Sequence, residues 1–492
     1  MNSFYDYWLT IEKYWFNQND DIDKYISITY GHLIDEYKYQ NNSNAILGIL
    51  IYDQLTRHYY RNGHNNHILI YFNNKALEIA NKNKTEDFIR NLNYIDWSFY
   101  MLVYRHSNIR ENLLFVMTEC WKISPLPIKF IKATFTRANF KEQLEYYKND
   151  PHNFDKSILD NNPLIEISKT KLYNIGEFDN IDDKTIIISL SGGVDSVVCL
   201  FNIIHKHPTK KIIAIHINYN NREEVEEEVK FLRCLCCELK VELYVRKINE
   251  IKRNICMSND LRDIYESYTK KVRFNSYKSI EYGKIPIIIL GHNKDDCFEN
   301  ILTNISYNCK YENLIGVEYK SQIDNIIFIR PLINVSKDAI YKFANEHNLP
   351  YLKNSTPNWS QRGKIRTDIV PTLNKWDSRI ITGLFNLSDI MRDYNDILKN
   401  TIENFKETEI EKIEKLNMCK LYWKHGIFKL FNIYISNKSL ETLIQRLELW
   451  KSKYDSIDVN KKTYIIVSKF IQIMIIKKND KKYELNIIKK CQ

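Results

Sequence analysis

Residues Ser191-Gly192-Gly193-Val194-Asp195-Ser196 constrain this chain more tightly than any other stretch. They lie between a short, β-branched apolar run, Thr185–Leu190, and a helix-like stretch, Val197–His205. Glycine is scarce, 12 in 492 residues, against roughly 7% in average proteins, so an adjacent pair at this junction carries weight. With no Cβ in the way, the backbone N–H groups of a Gly-Gly turn can close on an anion. The helix that follows points its positive end at the same place, and Ser191 and Ser196 add hydroxyl donors. Strand, small-residue loop and helix in this order describe a phosphate cradle at the carboxyl end of a sheet. The loop lacks the lysine of GxxxxGKS or GxxxxGKT, which excludes a Walker-type loop. Asp195 instead sets a carboxylate beside the phosphates, where Mg2+ is the natural cation to hold it.

The alternation continues downstream. Lys211–Ile217 reads as a second strand, and Glu223–Leu239 as a helix with the apolar stripe Val225, Val229, Leu232, Cys236 and Leu239. Ile285–Leu290 is another buried strand, and Ser336–His347 a helix opening on an N-cap serine. Strands this apolar, alternating with helices, predict an α/β domain with a parallel sheet covered on both faces. Residues 1–145 read instead as an all-α module, where Ile46 and Leu50, then Ile51 and Leu55, fall four apart. A polar linker is expected over 146–182, the nucleotide domain over 183–380, and a mainly helical or α+β appendage over 381–492. In that appendage TYIIVSKFIQIMIIKK could form a strand pair. The net charge of +10 is a mild bias toward anionic partners such as nucleic acid. No apolar run reaches the roughly 18 residues that cross a bilayer, and the start MNSFYDYWLTIEKYW has no signal-peptide pattern. Ten cysteines in so long a chain are no disulfide scaffold. A cytoplasmic protein without a membrane partner is expected.

SGGVDS resembles the signature of the N-type ATP pyrophosphatases, the PP-loop superfamily, which implies a Rossmann-like, adenine nucleotide hydrolase-like fold. Further landmarks follow in order: His216-Ile217-Asn218, Gly291-His292-Asn293-Lys294-Asp295-Asp296, Arg330-Pro331-Leu332, Asn354-Ser355, and Arg362-Gly363-Lys364-Ile365-Arg366 before Pro371. From about Lys184 to Leu373 this order resembles the tRNA(Ile)-lysidine synthases. The resemblance implies a ligase forming a carbon–nitrogen bond, with ATP and Mg2+ as cofactors and tRNA and free lysine as partners. ATP adenylates the C2 oxygen of a wobble cytidine, and the ε-amine of lysine then expels AMP. It further implies that Ser191 to Ser196, His216, Gly291 and His292 bind ATP. Asp195, Asp295 and Asp296 are the catalytic candidates, and Asp195 and Asp296 the metal candidates. Arg273, Arg362, Lys364 and Arg366 match basic residues that hold tRNA, where charge supplies affinity rather than sequence reading. Read without the resemblance, Asp295-Asp296 is equally a helix N-cap pair and Arg362–Arg366 a solvated surface.

Several positions depart from that pattern. Tyr219 stands where the family has a second histidine, Asn220 where it has a glycine, Cys297 where a glutamine follows the paired acids, and Gly363 where an asparagine follows the arginine. These keep two other readings open. One is a tRNA 2-thiolation enzyme of the same superfamily, for which Cys234, Cys236 and Cys237 are the relevant residues, although Cys236 falls on an apolar helix stripe. The other is an inactive protein that binds RNA or nucleotide. The front of the chain has its own resemblance. Ala45–Arg61, with Tyr7-Trp8, Trp15-Phe16 and Met101–Ser107, is similar to a bacterial domain family of unknown function with a tetratricopeptide-like helical fold. Within it Asp53, Arg57 and His106 could form a polar site, or a buried ion pair with a satisfied histidine.

Overall fold

The computed structural model describes residues 2–15, 17–37, 39, 44–61, 66–147, 153–160, 175–178, 181, 185–221, 223–280, 285–307, 315–353, 361–403, 405–479 and 481–490. Of the sequence landmarks, Phe16, Lys184, Asn354 and Ser355 lie outside the described residues. The chain divides into two compact units, Met1–Lys294 with Tyr319–Ser355, and Asp295–Glu318 with Thr356–Gln492.

The first unit is built on a seven-stranded sheet. Its strands are β1 (Glu145–Tyr147), β2 (Thr185–Ser189), β3 (Lys211–Asn218), β4 (Glu242–Lys247), β5 (Ile287–Ile289), β6 (Lys320–Ile323) and β7 (Ile326–Ile329), in the order β1-β4-β3-β2-β5-β7-β6. The five inner strands are parallel, and β1 and β6 pair antiparallel at the two edges. Because side chains alternate along a strand, β2 divides its residues between two cores. Ile187 joins the core on one face, and Ile186 and Ile188 the core on the other. Helices Val194–Lys206, Val225–Glu238 and Lys337–Glu346 cover the second face, contributing Val197, Leu200, Leu232, Cys236, Ile340 and Phe343. Ser336 caps the last of these, accepting from the Ala339 N–H at 3.3 Å.

The other face is covered by the Arg262–Ser279 helix, and that helix is covered in turn by the N-terminal helices. Trp8, Trp97, Phe99 and Tyr100 are completely buried among those helices, in the same core as Val272 and Tyr277. Phe135 meets Tyr268 edge to face, with ring centroids 5.1 Å apart. Arg246 on β4 donates from Nε to Glu142 and from Nη2 to Glu250, both at 2.6 Å. Tyr268 and the Trp121 indole close on Glu250 as well. The helical module thus shares a core with the sheet. The expected linker begins inside β1, which pairs with β4 from Glu145 to Tyr147.

In the second unit, helices Arg379–Glu403, Lys420–Phe431 and Asn437–Ser452 accompany an antiparallel sheet. Its strands β8 (Thr408–Lys412), β9 (Lys462–Ile466), β10 (Ile471–Lys477) and β11 (Lys482–Lys489) run in the order β8-β11-β10-β9. TYIIVSKFIQIMIIKK contributes the β9–β10 hairpin. Trp423, Ile427, Leu443, Leu447, Ile473, Ile475 and Leu485 are buried in its core. Among the described residues, no helix is long and apolar enough to cross a membrane.

Candidate active site

The strand order places the candidate loop. From β2 the chain moves to β3 and β4 on one side, then returns to β5 and β7 on the other. The carboxyl ends of β2 and β5 therefore flank the point where the winding reverses, the crevice in which open α/β sheets bind ligands. Ser191–Ser196 follows β2 and Gly291-His292-Asn293 follows β5.

Local chemistry holds the loop open. Gly192 has φ +82°, and a Cβ there would come within 2.4 Å of Leu352 Cδ1. Its carbonyl accepts from the Leu352 N–H at 2.9 Å. Gly193 is the N-cap of the Val194–Lys206 helix, its carbonyl taking the N–H groups of Ser196 and Val197. Ser196 Oγ donates to the same carbonyl at 2.9 Å and accepts from the Ser191 N–H at 3.2 Å. The side chains of Ser191 and Ser196 lie 3.1 Å apart. The N–H groups of Val194 and Asp195 belong to the first turn, which has no intrahelical acceptor for them. Gly291 abuts this turn so closely that a Cβ would stand 2.9 Å from the Ser196 nitrogen. The buried ring of His216 on β3 meets the Leu190 carbonyl through Nδ1 at 2.9 Å, fixing the peptide just before the loop.

The Asp195 carboxylate is one-fifth exposed. The Lys337 ammonium reaches its Oδ2 at 2.5 Å, and the amide of fully buried Asn293 donates to its Oδ1 at 2.9 Å. Arg330, at the end of β7, donates through Nε to His292 Nδ1 at 3.2 Å. Arg273, half-buried on the Arg262–Ser279 helix, bonds to Tyr219 and lies beside Tyr277, whose hydroxyl donates to Ser189 at 2.7 Å. Tyr219 thus has a specific partner at the end of β3. Asn293, Arg330 and Lys337 were not among the sequence candidates. Asn293 sits within the quoted block and Lys337 directly follows the N-cap serine, but their contacts span 98 and 142 residues of chain, beyond the reach of any local pattern.

The second unit gathers a different group. On the Lys294–Ser306 helix Asp295 is exposed, whereas Asp296 and Glu299 are buried. Arg362 binds Asp296 through Nη2 and Glu299 through Nε, the latter at 2.8 Å. Arg366 binds Asp296 through Nη2 at 2.9 Å and Glu299 through Nε. Two carboxylates and two guanidinium groups so bridge one another. Arg362 and Arg366 keep side-chain exposures of 47% and 32%, which leaves part of each fork facing solvent, and Lys364 is exposed. Glu299 was not anticipated. Cys297, in the glutamine position, accepts the Val317 N–H and leaves no room for a Cβ on Gly316, so it pins the following loop.

Asp195 suits Mg2+. Its oxygens have exposed acceptor capacity, and Lys337 marks the spot as one where a cation is favoured. The donor set of Asp296 suits it less, because both arginines already neutralise that carboxylate. Among the described residues no three His, Cys, Asp or Glu side chains form a metal cage. A Mg2+ site shared with phosphates needs only one or two carboxylates. Cys236 is core, and burial pushes its thiol up to about 12. A thiol held protonated is a poor nucleophile and a poor metal ligand.

Residues 164–373 match the PP-loop domain model, and residues 4–124 match that of a bacterial protein family of unknown function, DUF924. The tRNA(Ile)-lysidine synthase of Staphylococcus epidermidis is 24% identical over 278 residues, 54% of this chain and 60% of that protein. That of Mycoplasma mycoides subsp. mycoides is 26% identical over 330 residues, 62% of this chain and 75% of that protein. Among solved structures, the U34-tRNA thiolase NcsA from Methanococcus maripaludis aligns with 42% of this chain and 72% of its own, at 17% identity and a TM-score of 0.34. The chain thus matches the DUF924 model over residues 4–124 and the PP-loop domain model over residues 164–373, and the tRNA(Ile)-lysidine synthases are among the proteins it resembles.

Proposed function

We propose that the chain is an ATP-dependent tRNA-modifying ligase of the lysidine synthase kind. The C2 oxygen of a wobble cytidine in an isoleucine tRNA attacks the α-phosphorus of ATP, and pyrophosphate leaves. The ε-amine of lysine then attacks C2, and the oxygen departs with AMP. The observation that carries this reading is the seat at the β2–β5 switch point, where the Ser191–Ser196 turn, a helix N-terminus and Asp195 meet. The similarity to lysidine synthases supports a tRNA as the substrate of that seat.

Each residue has a task in this scheme. The first-turn N–H groups and the two serines cradle phosphate oxygens. Lys337 adds a positive charge where the triphosphate sits, and Asn293 keeps Asp195 turned toward it. Asp195 would hold Mg2+, which when bound neutralises charge on the phosphates. Lysine in water is an ammonium with pKa near 10.4, so its nitrogen must lose a proton before attack. Exposed Asp295 is the candidate to receive and orient it, and Asp296 would do so only by exchanging its bond to Arg362 or Arg366. The exposed parts of Arg362, Lys364 and Arg366 are the candidate tRNA contacts, with Arg273 beside Tyr219 as a further one.

The test is to incubate purified protein with ATP, Mg2+, lysine and bulk tRNA, then digest the RNA and resolve its nucleosides by mass. Lysidine, appearing only when lysine and ATP are both present, is the expected product. ATP turnover that leaves every cytidine unmodified contradicts the assigned substrate, and a thiolated nucleoside that requires a sulfur donor contradicts the assigned nucleophile.

A further inference from the structure

The N-terminal helices contain two Asp–His–Arg clusters that look alike in sequence and differ in one respect. In the first, Asp23 Oδ1 meets His58 Nδ1 at 2.6 Å, and Arg61 approaches His58 Nε2 at 3.3 Å while also binding Asp23. Both ring nitrogens of His58 are engaged and the residue is 2% exposed, so this cluster is sealed. The second is centred on Asp53, in a π-helical turn, Leu50–Leu55, that interrupts the helix running from Ala45 to Tyr59. Such turns are frequent at functional sites. The Asp53 side chain is fully buried. Arg57 donates to its Oδ1 from Nε at 3.0 Å and from Nη2 at 2.9 Å, and Asn73 donates to the same oxygen at 3.2 Å. Gln54 donates to Oδ2 at 2.5 Å, and His106 Nδ1 faces both oxygens, at 3.0 and 2.9 Å.

Two side chains of this cluster reach the surface. His106 is 21% exposed and Arg57 30%. Among the described residues, no hydrogen bond engages His106 Nε2 or Arg57 Nη1. With Nδ1 committed as donor to the carboxylate, Nε2 presents a lone pair. Burial keeps the ring neutral, and the guanidinium groups of Arg57 and Arg105 add to that, outweighing the pull of Asp53. The surroundings carry excess positive charge. Arg105 lies within electrostatic reach of Asp53, Arg57 and Arg137.

We propose that Arg57 Nη1 and His106 Nε2 form a second ligand site, separate from the nucleotide seat, that takes a protonated oxyanion: a phosphate group, free or as a monoester. Arg57 offers an N–H to an anionic oxygen, and the arginine field favours negative charge. His106 Nε2 needs a donor, which a P–OH supplies on the same group. A fully ionised anion such as sulfate has only lone pairs to set against Nε2, and leaving a site's polar atom unpaired is how such sites reject an isostere.

The test uses the full chain with isotope-labelled histidine rings, followed by nuclear magnetic resonance. His106→Gln identifies the His106 signal. Titration with inorganic phosphate is expected to shift that signal saturably, and sulfate to act at least about tenfold more weakly. Adenosine monophosphate in a parallel titration separates the two sources: tighter binding than inorganic phosphate identifies a monoester site, and weaker binding a site for the free anion. Arg57→Lys, which keeps a charge near Asp53 but loses the fork, is expected to weaken phosphate roughly tenfold. A His106 signal that phosphate and adenosine monophosphate both leave unmoved, or that sulfate moves equally well, overturns the proposal. So does an unchanged phosphate affinity in a folded Arg57→Lys variant.

Discussion

Asp195 and Asp53 are both carboxylates bound to cations, and their surroundings give them opposite fates. Asp195 is partly exposed and held by a lysine and an amide, partners that a metal and a triphosphate can displace. Asp195→Ala is expected to abolish pyrophosphate release and to cost about 1–3 kcal/mol of stability, because a carboxylate only one-fifth exposed loses its bonds to Lys337 and Asn293. Asp53 is sealed and its oxygens are saturated. Burial alone would raise its carboxyl pKa, but the hydrogen bond from neutral His106 and the adjacent Arg57 guanidinium outweigh burial and hold it well below the usual carboxylate range. A depressed carboxyl stabilises the fold above its unfolded pKa of roughly 3.9 and loses that contribution as pH falls toward the folded value. Asp53→Ala should therefore cost about 3–5 kcal/mol at neutral pH, as read by urea unfolding, and the cost should shrink when the comparison is repeated below about pH 4. An equal cost at both pH values would mean that the charge on Asp53 contributes nothing. The sequence carried enough to name Asp195 and Asp53, because each lies in a short local pattern. It could not show which was open and which sealed, because that depends on Lys337, Asn293 and His106, distant in the chain.

At the level of elements, β4 (ELYVRK) and the four-residue β7 went unanticipated, whereas β2, β3 and β5 were readable because each is a continuous apolar run between turn signals, as in TIIIS and IIAIHI. The edges were not. β1 and β6 are short and largely exposed, with no apolar run to betray them, and edge strands are commonly kept short and polar. β1 also marks where the helical region joins the sheet. Close by, Arg246 lies between Glu142 and Glu250 with all three buried. Removing the cation leaves two buried carboxylates facing each other. Arg246→Ala is expected to destabilise the chain by about 3–5 kcal/mol. Arg246→Met with Glu142→Gln should recover part of that loss in thermal unfolding, and a double variant no better than the single would refute the ion-pair account. Gly192→Ala is expected to be destabilised as well, since φ +82° and the Leu352 contact both disfavour a side chain.

For the whole chain, the front helices matter most to how the protein can be handled. Their apolar side chains and those of the Arg262–Ser279 helix form one core, through Phe135, Met117, Tyr268 and Val272. A fragment starting after residue 140 would expose that face. It is expected to aggregate or to bind a hydrophobic dye strongly, whereas a fragment as soluble and as thermally stable as the full chain would contradict the shared core. Composition and periodicity separated helical front from α/β centre but could not reveal this union, because the apolar residues of a helix covered on two sides look the same whichever partner covers them. The seat proposed for the triphosphate is the turn after β2. Its most direct test is equilibrium titration of ATP and Mg2+ into the full-length protein and into its Asp195→Ala variant, with tRNA-dependent pyrophosphate release measured in parallel. Saturable ATP binding and pyrophosphate release are expected for the native chain, with release lost in the variant. A native chain that binds no ATP, or a variant that releases pyrophosphate at the native rate, would contradict that assignment.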